Sequence, residues 1–288
     1  TTTTTTTTTT TINNKNSKSI MQPGDATRKK AFVYASTGVH PAALRHALRF
    51  LETEFPELEV SKIGPKDILK GALSDASVAL LLMPGGADRF YAQKLGSEGI
   101  QLIRKFIEGG GGYVGICAGA YFGSSYCEFD KGGPLEVCDP RELALHSGRA
   151  VGSAFGYDYE SSKFAKAVDA VLKDDLVKKA DLSTGRVASY VNGGCFFPDA
   201  KEDEVLAYFC QDCGGHAAGQ PMVVGGSAGS GRYILTGAHL EYDPEHLDPC
   251  REHDEIAPTL KATDTDRRNL MKFLVASVLR GSDSPSRL

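Results

Sequence analysis

Gly115-Ile116-Cys117-Ala118-Gly119 follows directly on the apolar pair Tyr113-Val114. One nucleophilic side chain among small residues, where a strand turns into a helix, is the pattern of a nucleophile elbow. The glycines two before and two after Cys117 suit a tight, strained turn with neighbouring chain passing close by. A thiol at the start of a helix meets the positive end of the helix dipole, which favours an anionic sulfur. A thiol nucleophile needs a base, and the base needs a third group to fix its tautomer. Thr236-Gly237-Ala238-His239-Leu240-Glu241 ends the strand-like run Arg232–Leu235. In extended chain, residues i and i+2 share a face, so His239 and Glu241 can lie side by side. Leu80–Met83 is a buried-strand pattern that ends in Pro84-Gly85-Gly86. The backbone N–H groups at Gly85 and Gly86 can face an oxyanion together with that of Ala118. Each feature has a plainer reading, a buried structural cysteine or an ordinary βα turn. Jointly they favour a Cys-His-Glu site.

These residues sit in a chain that alternates strand and helix signals. Ala31–Ala35 is an apolar run suited to a central parallel strand. His40-Pro41 opens an amphipathic helix through Leu44, Leu48 and Leu51. A strand over Glu59–Ile63, a helical stretch from Pro65 to Leu73, a strand over Val78–Met83 and a helix through Ile100–Ile107 follow, the last stopped by Gly109–Gly112. This order implies right-handed crossovers and a parallel sheet with ligands at the carboxyl ends of its strands. The second half carries short β-prone pieces, Val187–Val191, Val205–Phe209 and a hairpin over Met222–Leu235, expected as antiparallel additions. A closing helix runs through Leu270 and Phe273 to Leu279. Glu128 and Asp130 are expected in a loop. The fold class is therefore α/β, a flavodoxin-like three-layer sandwich with a mostly parallel central sheet and antiparallel additions in the second half.

At 288 residues and 41% hydrophobic the chain can bury one sizeable core. A formal charge of −4 gives no reason to expect a nucleic-acid partner, and no apolar run reaches the length of a membrane span. Seven cysteines at irregular spacing argue for reduced thiols and a cytoplasmic setting. Cys210 and Cys213, with His216 nearby, resemble half of a zinc site, but a second pair is wanting unless Cys250 and His253 complete it; the expectation is no metal and no cofactor. Residues 1–29, rich in Thr, Asn, Lys and Ser, and 281–288 read as disordered tails around one domain over 30–280. The terminal Ser286-Arg287-Leu288 also resembles a peroxisomal address, the alternative to the cytoplasm.

The ordered set PGGAD, GICAGAYF, EFDKGG, PREL, YVNGG and TGAHLEY resembles the N-terminal domain of eukaryotic biotin–protein ligases, a branch of the class I glutamine-amidotransferase-like group. The resemblance runs from about Lys30 to Arg280. It implies a flavodoxin-like fold with Cys117, His239 and Glu241 in triad positions. It does not imply biotinylation, because the ligase catalytic domain has no counterpart; Gly229-Ser230-Gly231-Arg232 reads as a hairpin turn. Ala120-Tyr121-Phe122 stands where glutamine amidotransferases of this class carry Gly-His-Gln, so Tyr121 and Phe122 are expected to narrow and dry the pocket. Within the same pattern, Arg141 can hold a substrate carboxylate or pair with Glu142, and Asn192-Gly193-Gly194 can let backbone approach a ligand. Asp88 and Arg89 are expected at the pocket rim or as a helix cap. The expected function is a stand-alone Cys-His-Glu hydrolase acting on an amide or related carbonyl of a small molecule through a thioester. The alternative is a non-catalytic ligand-binding or regulatory module linked to a biotin–protein ligase on another chain. Oligomeric state is left open.

Overall fold

The computed structural model describes residues 1–3, 28–158 and 162–279. The expectations for the tails and for Ser286-Arg287-Leu288 fall mostly outside these residues. The chain opens with β1 (Lys30–Tyr34), α1 (Pro41–Glu54), β2 (Glu59–Ile63), α2 (Pro65–Leu69) and β3 (Val78–Met83). Then come α3 (Asp88–Glu108), β4 (Gly112–Ile116) and α4 (Ala118–Gly123). Proline at the first position of α1 and α2 supplies a fixed φ where no N–H is needed. All six residues of β3 and all five of β4 are buried, as central parallel strands covered on both faces must be. The helical stretch expected up to Leu73 is shorter, because Gly71 at φ 88° ends it before a turn of 3₁₀ helix. The helix seen in Ile100–Ile107 is longer, reaching back to Asp88 across a break at Gly96.

Three strands that the sequence did not single out follow α4: β5 (Ser124–Phe129), β6 (Val137–Pro140) and β7 (His146–Gly152), the last within the β-prone stretch from Leu143 to Phe209. They form a separate sheet in the order β6-β5-β7. Glu128 therefore lies in a strand, while Asp130, at φ 50°, turns the chain after it. The remaining elements are β8 (Lys166–Leu172), α5 (Asp174–Lys179), β9 (Arg186–Val191), β10 (Val205–Phe209), β11 (Pro221–Ala228), β12 (Gly231–Thr236), α6 (Arg251–Ala262) and α7 (Asp264–Val278).

The main sheet has nine strands in the order β2-β1-β3-β4-β12-β11-β10-β8-β9. From β2 to β12 every pairing is parallel, and from β12 to β9 every pairing is antiparallel. The β11–β12 hairpin closes at Gly229-Ser230, so Gly229 to Arg232 is a turn and the start of a strand. This is the α/β architecture expected, with the antiparallel additions on one side. No helix among the described residues is long and apolar enough to cross a membrane.

Candidate active site

β4 lies between β3 and β12, so the ends of these three parallel strands bring Pro84-Gly85-Gly86, Cys117 and the segment Gly237–Glu241 to one edge. Cys117 has φ 52° and ψ −104°, a backbone conformation costly for any residue with a Cβ, and it is the cap of α4. The surroundings hold it there. A Cβ on Gly119 would lie 2.0 Å from the Met83 carbonyl oxygen, and one on Gly115 would lie 2.4 Å from that of Gly119. Tyr113 donates its hydroxyl to the Gly119 carbonyl at 2.8 Å, and Cys117 N–H donates to Thr236 O at 2.9 Å. The elbow is thereby tied to its own strand and to β12. Because α4 has only six residues, its dipole is smaller than a full helix would supply.

His239 and Glu241 do not lie in a regular strand, yet they meet as their spacing implies. Nδ1–H of His239 donates to Glu241 Oε1 at 2.7 Å. The backbone of His239 is fixed by a two-bond bridge to Tyr190 at the end of β9, 2.8 and 3.0 Å. The ring shares the cavity wall with Cys117, which lies close enough to act on its charge. Burial disfavours the charged imidazole, but the Glu241 carboxylate and the contact with Cys117 outweigh it and push His239 up to about 10. All three side chains are buried, at 7, 4 and 3% exposure for Cys117, His239 and Glu241. Glu241 Oε2 is buried with no protein partner.

The glycine turn is equally constrained. Tyr91 donates to the Pro84 and Gly85 carbonyls, both at 3.1 Å, and Gly119 N–H donates to Pro84 O at 3.2 Å. A Cβ on Gly85 would lie 2.6 Å from His239 Cε1, so this glycine leaves room for the imidazole. Ala118 is the first residue of α4, so its N–H has no partner within the helix.

These groups open onto a cavity of about 490 Å³ lined by Gly85, Gly86, Cys117, Ala118, Tyr121, Asn192 and His239. Arg141 is absent from that wall. It is buried one layer behind, with Nε donating to Asp88 Oδ2 at 2.6 Å and Nη1 to the Asp139 and Pro140 carbonyls. Its ion-pair partner is thus Asp88 rather than Glu142, which accepts from Ser97 Oγ at 2.9 Å. Asp88 is the first residue of α3 and makes no cap, whereas Arg89 is exposed at the rim. Tyr121 lines the cavity with its hydroxyl on Gly194 O at 2.8 Å. Phe122, expected beside it, packs instead on Tyr91 in the core, because successive helical residues point about 100° apart.

Several wall residues were given no place in this site by the sequence. His40, His46, Tyr190, Tyr242 and His253 come from distant parts of the chain. His46 Nδ1 accepts from Asp243 N–H at 3.1 Å, and burial lowers the ring to about 4, so it is neutral. All seven cysteines are free. Cys213 Sγ donates to Cys210 O at 2.8 Å, while Cys250 and His253 belong to the cavity wall. Among the described residues no group of three or more His, Cys, Asp or Glu can hold a metal ion.

Comparison with known proteins bears on the family and the fold. The solved structures it resembles include a glutamine amidotransferase from Thermotoga maritima, with a TM-score of 0.53, 10% identity, and coverage of 87% of this chain and 97% of that one. Another is a ThuA-like protein from Bacteroides uniformis, with a TM-score of 0.50, 15% identity, and coverage of 89 and 95%. At such identities the likeness concerns the fold alone. In sequence, an uncharacterized protein of Chlamydia muridarum is 31% identical over 264 residues, 87% of this chain and 97% of that protein. A biotin–protein ligase of Schizosaccharomyces pombe is 31% identical over 186 residues, which span 62% of this chain and 28% of the ligase. The profile described as biotin-protein ligase, N terminal, matches residues 29–283, nearly everything that forms the two sheets and their helices, and the chain therefore belongs to that family.

Proposed function

We propose that the domain is a cysteine hydrolase that cleaves an amide or related carbonyl of a small molecule through a thioester. The observation that carries this reading is the buried His239–Glu241 pair, 2.7 Å apart, turned onto a cysteine held at positive φ. In the first step Cys117 Sγ attacks the carbonyl carbon. The oxyanion is received by the N–H groups of Gly86 and Ala118, and Gly85 keeps the neighbouring space open for the imidazole. The C–N bond breaks as protonated His239 gives its Nε2 proton to the leaving amine. In the second step neutral His239 takes a proton from water, which attacks the thioester. The C–S bond breaks, the carboxylic acid leaves and Cys117 is regenerated.

The test is the rate of iodoacetamide alkylation at each cysteine as a function of pH, read by peptide mass spectrometry, in wild type and His239→Ala. The expected result is that Cys117 reacts far faster than the other six thiols below neutral pH and loses that advantage without His239. A Cys117 that reacts like the remaining accessible thiols in both chains refutes the reading. The second reading, a regulatory module acting with a biotin–protein ligase, draws on the match to a segment of a protein of that name. It predicts that Cys117→Ala retains full function.

A further inference from the structure

His46 is a wall residue that the steps at Cys117 leave unused. It lies on α1, is 2% exposed, and its ring is stacked on Tyr242 with centroids 4.1 Å apart at 20°. Nδ1 accepts the Asp243 N–H at 3.1 Å, and burial keeps the ring neutral, so the one ring proton sits on Nε2. That Nε2–H has no acceptor among the described residues. Nor is Nε2 sealed in the core, as both nitrogens of His146 are. One edge of the ring is taken by the Asp243 backbone, which leaves the other toward the cavity of about 490 Å³. A largely buried N–H without an acceptor is costly, and a ligand oxygen would remove that cost.

The first turn of α1 adds to the same place. Ala42 and Ala43, four and three residues before His46 and so on its face of the helix, also line the cavity. α1 starts at Pro41, and its cap, His40, makes no side-chain hydrogen bond to the first turn. The N–H groups there have no acceptor within the helix, and the 14-residue helix brings its positive end to the wall. This part of the wall adjoins the triad. His40 N–H donates to Gly85 O at 3.0 Å. A Cβ on Gly85 would lie 3.4 Å from Ala43 Cβ and 2.6 Å from His239 Cε1. The carboxylates nearby are each opposed by a cation, Glu241 by His239, Asp243 by Arg49 at 3.1 Å and Asp248 by Arg45 at 2.5 Å.

We infer, on the reading that Cys117 is the acylated nucleophile, that His46 and the first turn of α1 form a subsite for a second oxygen of the substrate, a carbonyl or carboxylate oxygen apart from the scissile carbonyl. The scissile oxygen is met by the Gly86 and Ala118 N–H groups, and the second oxygen by His46 Nε2–H. His46 thereby selects among substrates and takes no part in the proton transfers.

The test uses three chloroacetyl reagents of the same chain length. N-chloroacetylglycinamide carries a second carbonyl, N-chloroacetylglycine carries a carboxylate, and N-propylchloroacetamide carries neither. The rate at Cys117 in the folded protein is read by peptide mass spectrometry and divided by that of the same cysteine in the urea-unfolded chain. In wild type, one or both of the oxygen-bearing reagents should be favoured over the propyl reagent by about tenfold and should saturate with concentration. Preference for the glycine reagent identifies the second oxygen as a carboxylate, and preference for the glycinamide as a carbonyl. His46→Asn, whose Oδ1 can still accept from Asp243 N–H, should abolish the advantage, and His46→Gln, which can place an N–H near the position of Nε2, should keep part of it. A propyl reagent that reacts as fast as the other two in wild type overturns the inference while leaving the nucleophile in place, whether or not the variants fold. An advantage that survives His46→Asn, or that is lost equally in both variants, overturns the role of His46. Failure of Cys117 to react with any of the three overturns the nucleophile and the subsite together.

Discussion

Glu241→Gln separates the charge of the triad's third member from its shape. Gln retains an oxygen that can accept from His239 Nδ1–H, so the 2.7 Å contact can persist while the carboxylate charge is removed. In the native chain His239 is raised from 6.5 to about 10, chiefly by Glu241 and Cys117 working against burial. The folded chain therefore holds this proton to higher pH than the unfolded chain does. The resulting stabilisation is fully present below the unfolded value, near 6.5, and is lost as pH rises through about 10. Within that window one extra bound proton changes stability by about 1.4 kcal/mol per pH unit, so the pair should lose about 2 kcal/mol between pH 7.5 and pH 9. With Gln at 241 the main force raising His239 is gone, and most of this loss should vanish. Urea unfolding of both chains at the two pH values is the assay, each carrying Cys117→Ala so that the thiol's own proton stays out of the count, and the difference of differences is the readout. With Glu241 present the chain is expected to fall by about 1–2 kcal/mol more than with Gln. Parallel behaviour, within about 0.5 kcal/mol, would refute the assignment of a protonated, Glu241-supported His239.

Two further perturbations probe the scaffold. Cys117→Gly should be more stable than Cys117→Ala by about 1 kcal/mol or more, since both lose the thiol but only alanine keeps a Cβ at φ 52°; equal urea midpoints would mean that the elbow stores no strain. Asp88→Asn should cost about 3 kcal/mol by leaving the buried Arg141 guanidinium without its carboxylate, and adding Arg141→Met should restore part of it. A single variant within about 1 kcal/mol of wild type, by the same measurement, would show that the pair contributes little.

The elbow and the His–Glu spacing were legible in the sequence because both are local. Five residues around Cys117 specify the turn, and the two-residue step from His239 to Glu241 puts both side chains on one side even where the chain leaves regular strand geometry. The βαβ order was legible for the same reason, since Val78–Met83 and Glu59–Ile63 each announce themselves within a single window. The sheet of β5, β6 and β7 was not. Its strands are short and mixed in polarity, SSYCEF and VCDP among them, and one ends in proline.

Tertiary structure alone decided which of the local pieces would meet. Placing β4 between β3 and β12 sets the glycine turn on one side of Cys117 and His239 on the other, although these segments are separated by 32 and 122 residues from Gly85 and His239 to Cys117. Nothing near Arg141 in sequence identifies Asp88 as its partner, and the ion pair moves Arg141 off the wall where a substrate carboxylate was expected. The ring stack of His46, Tyr242 and Tyr190 draws on α1, the segment after Glu241 and β9. Backbone turns follow from the conformational limits of a few adjacent residues, whereas a cavity wall is made by contacts between distant ones, and those are settled only when the sheet closes and its helices pack.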